Sequence, residues 1–359
     1  MNRRFATLAA TLLLPLALLL MLAAPTQLFD TAPVRPDAEP AAATQTVHPA
    51  TEPPETTVTP ETTPATEPTP STQEPSQPPE TEPPTTEPPA TEPTPETTTP
   101  PDTRASVTVP ILMYHHFAEE GNDSTVITPE NFRAQLEAAQ AAGWQAVSML
   151  ELYDYVYYGC ALPEKPFCIT IDDGYLSNYT LAYPILQELN MKATIFCIGS
   201  SFGASTYKDT QTPITPHFDF AQAQEMMDSG LISIQCHTYD MHQWAAQEPE
   251  GQARTVMAPL AGETSEAFAA AIVQDIARYR EMYKGALDGS LYVLAYPGGV
   301  FSAQTERVLH ENGFPITLST KASKRNLLVR GQPETLYALG RLNVTEAQSP
   351  QDILNYLSK

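Results

Sequence analysis

Apolar runs of strand length alternate with longer stretches of helical periodicity along residues 105–359. We predict strands that start near the following residues: Val107, Gln145, Phe167, Lys192, Leu231, Leu291, Pro315 and Tyr337. We predict helices near 130–142, 148–158, 177–189, 219–229, 265–284, 302–312 and 350–357. Alternation of this kind indicates an α/β fold with a parallel sheet. A segment of about 255 residues suits one closed β/α barrel, and an open doubly wound sheet is the alternative.

Two acidic residues stand at the end of one of the most apolar of these runs. Residues 167–171 are followed by Asp172, Asp173 and Gly174, which predicts a buried strand that ends in a turn. Side chains alternate along a strand, but beyond its end successive side chains can both face one cleft. An isolated Asp-Asp-Gly is usually a solvated turn, so the functional interpretation depends on a second strand end.

That second strand end carries two histidines. The apolar run 231–236 is followed by His237 and, five positions later, by His242. One aspartate and two histidines form a three-ligand set that leaves positions open for water and substrate, as in catalytic metal sites. Zinc is the expected ion, although Co, Ni or Mn would suit the same donors. A separation of five turns a side chain ~140° around a regular helix, so we expect a loop here, held by Thr238.

These residues also carry a resemblance to a known family. Residues 170–174 together with His237 and His242 resemble the first two motifs of the polysaccharide deacetylases, the NodB-homology family of carbohydrate esterases. Weaker likenesses lie in residues 111–116, 294–299 and 339–344, so the resemblance spans roughly 107–345. It implies an irregular seven-stranded β/α barrel and metal-dependent removal of acetyl groups from polysaccharide that contains N-acetylglucosamine.

The resemblance also implies roles for single residues. Asp173, His237 and His242 would hold the divalent metal, and Asp172 would be the general base. The backbone N–H of Gly298 would contact the oxyanion, which requires no side chain.

Three further residues complete the expected site. Tyr175 directly follows the Asp-Asp-Gly turn and is expected to line the substrate pocket. Tyr296 and Pro297, in the third motif, are expected to contact the substrate as well.

The chain departs from the family pattern at two points. Ala295 stands where the family has an arginine that orients the base, and residues 341–344 lack the histidine that acts as general acid. His115, at the end of the first strand, is the candidate replacement for that acid. These departures predict slow cleavage of N-acetyl groups and faster cleavage of activated acetyl esters. They leave open an O-acetyl esterase, or a tethered glycan-binding domain that has lost turnover.

The N-terminal residues predict export. Arg3 and Arg4 precede an uncharged apolar stretch, 6–24, whose length falls between that of a secretory signal and that of a membrane-spanning helix. We expect residues 1–24 to be a signal peptide or, slightly preferred, an uncleaved membrane anchor, with the rest outside the cytoplasm.

Residues 25–104 consist mainly of Thr, Pro, Glu and Ala. Such a composition cannot bury enough apolar surface to offset the entropy of ordering, and dense proline favours extended conformations. We therefore expect a disordered, semi-stiff spacer that holds the domain of residues 105–359 at the cell surface.

Both parts of the chain are acidic. Residues 25–104 carry a net charge of −12 and residues 105–359 carry −13, and with the +2 of Arg3 and Arg4 the total is −23. This balance argues against nucleic acid as a partner and is compatible with a neutral or amino-bearing glycan. We expect a monomer.

Four cysteines accompany an expected export signal, namely Cys160, Cys168, Cys197 and Cys236. Three of them lie within or at the end of apolar strand runs, where a free cysteine packs as a small apolar residue. Buried thiols are therefore favoured over disulfides.

Overall fold

The computed structural model describes residues 103–122, 124–323 and 325–359. The predicted leader, 1–24, and nearly all of the predicted spacer, 25–104, lie outside these residues. Within the described part of the chain, no helix has the length and apolar character needed to cross a bilayer.

The described residues form twelve strands and seven α-helices. The strands are β1 (Ser106–Thr108), β2 (Ile111–Tyr114), β3 (His116–Phe117), β4 (Val126–Ile127), β5 (Gln145–Ala146), β6 (Pro166–Asp173), β7 (Ala193–Cys197), β8 (Ile232–Cys236), β9 (Val293–Ala295), β10 (Ile316–Leu318), β11 (Leu327–Val329) and β12 (Leu342–Asn343). The α-helices are α1 (Pro129–Ala141), α2 (Met149–Tyr158), α3 (Tyr183–Leu189), α4 (Phe220–Asp228), α5 (Ser265–Ala286), α6 (Ala303–Glu311) and α7 (Pro350–Leu357).

Seven parallel strands curl into a barrel in the order β10-β9-β8-β7-β6-β2-β12. The two edges meet where Leu339, just before β12, pairs with β10. The N–H of Leu339 donates to the carbonyl of Thr317 at 2.8 Å, and the N–H of Ser319 donates to the carbonyl of Leu339 at 2.7 Å. These bonds confirm the predicted seven-stranded β/α barrel and exclude the open doubly wound sheet.

The strand predicted near Val107 is divided in two. Pro110 has no N–H to give to a ladder, and it separates β1 from β2. β1 pairs antiparallel with β11 outside the barrel, and β2 is the first barrel strand.

Local sequence signals explain where the helices begin. Ser148, Ser302 and Ser349 each cap a helix with a side-chain oxygen that accepts an N–H three residues later. The predicted helices are confirmed to within two residues, except for 177–189. That segment begins as a π-helix, Asn178–Ala182, before it continues as α3.

The alternation of β6 decides which side chains face the barrel interior. Phe167, Ile169 and Ile171 belong to the apolar layer between the strands and the helices. Cys168 belongs to a second buried cluster, which includes Phe196 and Val293 of other barrel strands. Asp172 points in the same direction as Cys168, because side chains alternate along a strand. The side chain of Asp172 is therefore directed into the barrel.

The four cysteines are free thiols, as predicted. Cys168, Cys197 and Cys236 are buried, and burial raises the pKa of each thiol well above its usual range. Their thiols therefore stay protonated and pack as apolar groups.

Gly299 allows the turn after β9 to approach the segment after β10. Its φ is 69°, and a Cβ at this position would lie 2.7 Å from the backbone nitrogen of Thr320. Gly262 has a similar φ of 78° with nothing within 4 Å of such a Cβ.

Gly299→Ala should therefore lower the free energy of unfolding by more than Gly262→Ala, which carries only the left-handed backbone cost of about 1 kcal/mol. Urea denaturation measures the free energy of unfolding of both variants. Equal losses would show that Thr320 can move away from the added Cβ without cost.

Candidate metal centre and catalytic cleft

A left-handed turn at the end of β6 brings both acidic residues to one site. Asp173 has a φ of 75° and Gly174 a φ of 81°, so the strand conformation ends at Asp173. As a result His237 Nε2 lies 3.9 Å from Oδ2 of Asp172 and 3.6 Å from Oδ1 of Asp173. The carboxylates of two successive residues thus face the same imidazole, as the sequence predicts.

Asp173, His237 and His242 form a group that could hold a metal ion. Their ligand atoms lie within 4.8 Å of one another, and His242 Nε2 is 3.8 Å from Oδ1 of Asp173. Oδ1 of Asp173 is buried and has no hydrogen-bond partner among the described residues. Buried carboxylate oxygens are normally satisfied, so a cation between these three side chains would complete the coordination of Asp173. The donor set therefore fits a divalent ion.

Backbone carbonyls fix the tautomer of both histidines. His237 Nδ1 donates to the carbonyl of Ala295 at 2.8 Å, and His242 Nδ1 donates to the carbonyl of Thr255 at 3.0 Å. A carbonyl oxygen only accepts, so the proton sits on Nδ1 and each Nε2 lone pair is directed to the site. Burial lowers the pKa of His237 to about 4, which keeps its imidazole neutral and able to bind a metal.

The loop between the two histidines is held at two points. Thr238 adopts a φ of 68°, and its hydroxyl accepts the N–H of Met241 at 3.1 Å, as the sequence analysis expects. Asp275, on α5, accepts the N–H of Tyr239 at 2.7 Å and that of Asp240 at 2.8 Å. The five-residue separation is thus spanned by a loop that is held by the hydroxyl of Thr238 and by the carboxylate of Asp275 on α5.

The sequence analysis missed Asp275, although a signal existed. It lies on the helix face that buries the apolar positions Phe268, Ile272, Ile276 and Tyr279. An acidic residue on such a face requires a hydrogen-bonding partner.

Arg341 brings a guanidinium to Asp172, although Ala295 stands where the family has its arginine. Its Nη1 donates to Oδ1 of Asp172 at 2.6 Å, and its Nη2 donates to Oδ2 at 2.8 Å. The guanidinium is fully buried, and it also donates to the carbonyl of Ser319 and the hydroxyl of Thr170, both at 3.2 Å. The arginine comes from the closing strand segment rather than from the third motif.

This pairing keeps Asp172 ionised. Burial by itself raises the pKa of Asp172, but the charge and the hydrogen bonds of Arg341 outweigh burial and lower the pKa to about 2. A carboxylate has about four lone-pair positions, so two bonds to Arg341 leave others free to accept a proton. The sequence signal for this contact was a charged residue, Arg341, within the apolar closing segment directly before β12.

His115 lies at the edge of the same site. Its position directly follows β2, its Nδ1 is buried without a hydrogen-bond partner among the described residues, and its carbonyl accepts from Asn178 at 2.7 Å. β2 lies beside β6 with Tyr114 opposite Ile171, so His115 follows in the chain at the level of Asp172.

The third-motif residues differ in burial: Gly298 is exposed, whereas Tyr296 and Pro297 are buried. Gly298 is exposed in the short turn Pro297–Gly299 after β9, with a φ of 59°. Tyr296 is fully buried and stacks on Phe301 with ring centroids 5.1 Å apart, and Pro297 is buried too. Tyr296 and Pro297 therefore take packing positions, whereas Gly298 is accessible.

Tyr175 lies against the metal group. Burial, and after it the charge of Asp173, raises the pKa of Tyr175 above its usual range, so its hydroxyl stays protonated. The ring lines a cleft of about 410 Å³ together with Tyr207, His217, His242 and Trp244. Tyr175 therefore lines a cleft beside His242, and its contact with substrate stays a prediction.

Comparison with known proteins gives one family. Residues 160–317 match the family model described as polysaccharide deacetylase. A Bacillus subtilis protein, YxkH, whose name assigns it provisionally to the polysaccharide deacetylases, is 26% identical over 247 residues, covering 69% of this chain and 75% of its own. The poly-β-1,6-N-acetyl-D-glucosamine N-deacetylase of Escherichia coli is 22% identical and covers 68% of this chain, but this chain spans only 40% of that enzyme.

A solved structure shares the fold. The de-N-acetylase of Aggregatibacter actinomycetemcomitans superposes with a TM-score of 0.60 at 21% identity. The superposition covers 70% of this chain and 100% of that one.

Removing one partner of the buried ion pair of Arg341 and Asp172 should destabilise the protein. Arg341→Met leaves the Asp172 charge buried without a partner, which should lower the free energy of unfolding by about 3–5 kcal/mol. Arg341→Lys should lose less, because an ammonium keeps the charge but cannot bind both oxygens. In urea denaturation the double variant Asp172→Asn/Arg341→Met should recover much of the loss. An Arg341→Met variant as stable as the parent would contradict this account.

Proposed function

Residues 160–317 belong to the polysaccharide deacetylase family, and from this premise we propose a metal-dependent hydrolase that removes acetyl groups from N-acetylglucosamine-containing polysaccharide. The observation that carries the proposal is the ionised Asp172, held by Arg341 beside the ligand group of Asp173, His237 and His242. The poly-β-1,6-N-acetyl-D-glucosamine specificity named for the Escherichia coli relative supports the substrate class. The sequence of residues 1–104 supports action at the cell surface.

The three proposed ligand residues and Asp172 have different roles in this proposal. Asp173, His237 and His242 would hold the ion, with zinc as the proposed identity. A divalent cation bound there polarises the acetyl carbonyl and lowers the pKa of water in the site. Asp172 accepts the proton from the attacking water, and Arg341 fixes the direction of its carboxylate.

Two groups at the rim complete the proposal. The N–H of Gly298, in the exposed turn after β9, would donate to the oxyanion. His115 would protonate the leaving amine, and its unpaired Nδ1 near Asp172 supports this role. Because Arg341 replaces the missing arginine, only the missing acid remains as a reason to expect slow amide cleavage.

The two adjacent aspartates should separate in function. Asp172→Asn should retain the metal yet lose acetate release by ~10²-fold or more, as expected when a general base is removed. Asp173→Asn and His237→Ala should instead lose metal affinity by about an order of magnitude or more. The measurements are metal content after dialysis and acetate release from chitin oligomers, β-1,6-linked N-acetylglucosamine oligomers and acetylxylan, with added divalent ions.

Two outcomes would reject parts of this proposal. A His237→Ala/His242→Ala variant that keeps one ion per chain would place the metal elsewhere. Acetate release from acetylxylan alone would make the protein an O-acetyl esterase.

His115 should matter more for amides than for esters. An amine leaving group needs a proton, whereas 4-nitrophenyl acetate releases a stabilised phenolate that needs none. His115→Ala should therefore lower kcat/KM for an N-acetyl oligomer by ~10²-fold and for 4-nitrophenyl acetate far less. His116→Ala is the matched control, because the neighbouring ring bonds the hydroxyl of Ser177 at 2.8 Å. Equal losses on both substrates would assign His115 a packing role.

A further inference from the structure

We propose that Tyr207 and Trp244 form an aromatic shelf that binds a pyranose ring of the polysaccharide next to the residue under attack. The proposal rests on the proposed function and adds a specificity-determining residue, Trp244, to it. The occupant is a sugar unit of the glycan chain, held by its apolar C–H face.

The shelf borders the metal group. The cleft of about 410 Å³ has His242 and Tyr175 in its wall, and Tyr207 and Trp244 line it as well. This volume lies within the range of small-ligand pockets, about 300–1,000 Å³. Because His242 is a proposed ligand and lines this cleft together with Tyr175, a glycan that presents an acetyl group there would extend along it.

Trp244 is exposed, and its main chain is bonded to Tyr207. Its relative exposure is 47%, which is high for the largest apolar side chain. Its backbone N–H donates to the hydroxyl of Tyr207 at 3.3 Å, and that hydroxyl donates to Glu248 at 2.6 Å. The rings of Tyr207 and Trp244 meet edge to face, with centroids 6.2 Å apart. A single exposed apolar residue needs no explanation, but one that is held in place beside a reactive site does.

An ion network ties the shelf to the metal loop. Lys208 Nζ lies 2.8 Å from Oδ2 of Asp240 and 2.5 Å from Oε1 of Glu248. Asp240 belongs to the loop between His237 and His242, and Lys208 follows Tyr207 in the chain. The distance from the shelf to the ligand residues is therefore set by contacts between two loops.

This arrangement suits a sugar ring. One face of a pyranose consists of C–H groups, with the hydroxyls at its edge, and such a face packs on an aromatic ring. Aromatic side chains provide large contact areas at low cost in conformational entropy. Here the hydrogen bonds of Tyr207 hold the shelf in place before the ligand arrives, which lowers the cost of binding further.

Fluorescence tests binding without turnover. The chain has two tryptophans, Trp144 and Trp244, so Trp144→Phe leaves Trp244 as the sole tryptophan reporter. Titration of this variant, stripped of metal, with a β-1,6-linked N-acetylglucosamine pentamer should shift its emission saturably. No shift at pentamer concentrations well above the KM of the metal-loaded protein would overturn the shelf.

Kinetics test the same residue in the active protein. Trp244→Ala should raise KM for the pentamer at least about tenfold and leave kcat/KM for 4-nitrophenyl acetate within about twofold, because a small ester does not reach the shelf. Trp244→Phe should retain most of the pentamer affinity. Tyr158→Ala is the matched control, since Tyr158 is 44% exposed and lines a different cleft beside Ala105. Unchanged KM in Trp244→Ala, or equal losses on both substrates, would overturn the shelf.

The outcomes separate this inference from the proposed function. Saturable binding without acetate release from any polysaccharide would reject the deacetylase and support the shelf as a glycan site. Acetate release from the pentamer by the parent protein, with no effect of Trp244→Ala, would support the deacetylase and reject the shelf.

Discussion

The buried ion pair between Arg341 and Asp172 is the interaction on which the rest of the site depends. Two charges removed from water are costly unless geometry and hydrogen bonding compensate, and here both carboxylate oxygens are bonded to one guanidinium. Arg341 lies between Leu339, which joins the two edges of the sheet, and β12. Closure of the barrel and orientation of the proposed base are therefore achieved by the same short segment.

The metal group depends in turn on the main chain. His237 and His242 are each oriented by a backbone carbonyl, and Asp275 holds the loop between them through two backbone N–H groups. Such partners are independent of the side chains at the positions that supply them, so Ala295 can serve His237 although it lacks the arginine expected there. The same position thus departs from the family pattern and still supports the ligand set.

Local signals in the sequence predicted the elements and most of the metal group. The helices begin where Ser148, Ser302 and Ser349 cap them, and capping acts over three residues. The grouping of two aspartates with two histidines followed from buried parallel strands that end at one face of a barrel, because residues that follow such strands meet. The choice of Asp173 over Asp172 as the ligand came from the family resemblance alone. Tyr296 was misjudged, because its sequence position beside an exposed turn carries no information on which way its ring points.

The sequence by itself therefore determined the helices, the approximate places of the barrel strands, the barrel class and the group of Asp172, Asp173, His237 and His242, but not the short strands β3, β4 and β11. The tertiary structure decided which charge balances Asp172, what shapes the loop of His242, and which rings line the cleft beside it. These contacts join residues far apart in the chain: Arg341 is 169 positions from Asp172, and Tyr207 is 37 positions from Trp244. Hydrogen bonds within helices act between neighbours and leave a pattern in the sequence. Contacts across a closed barrel exist only once its edges have met, so no local pattern records them.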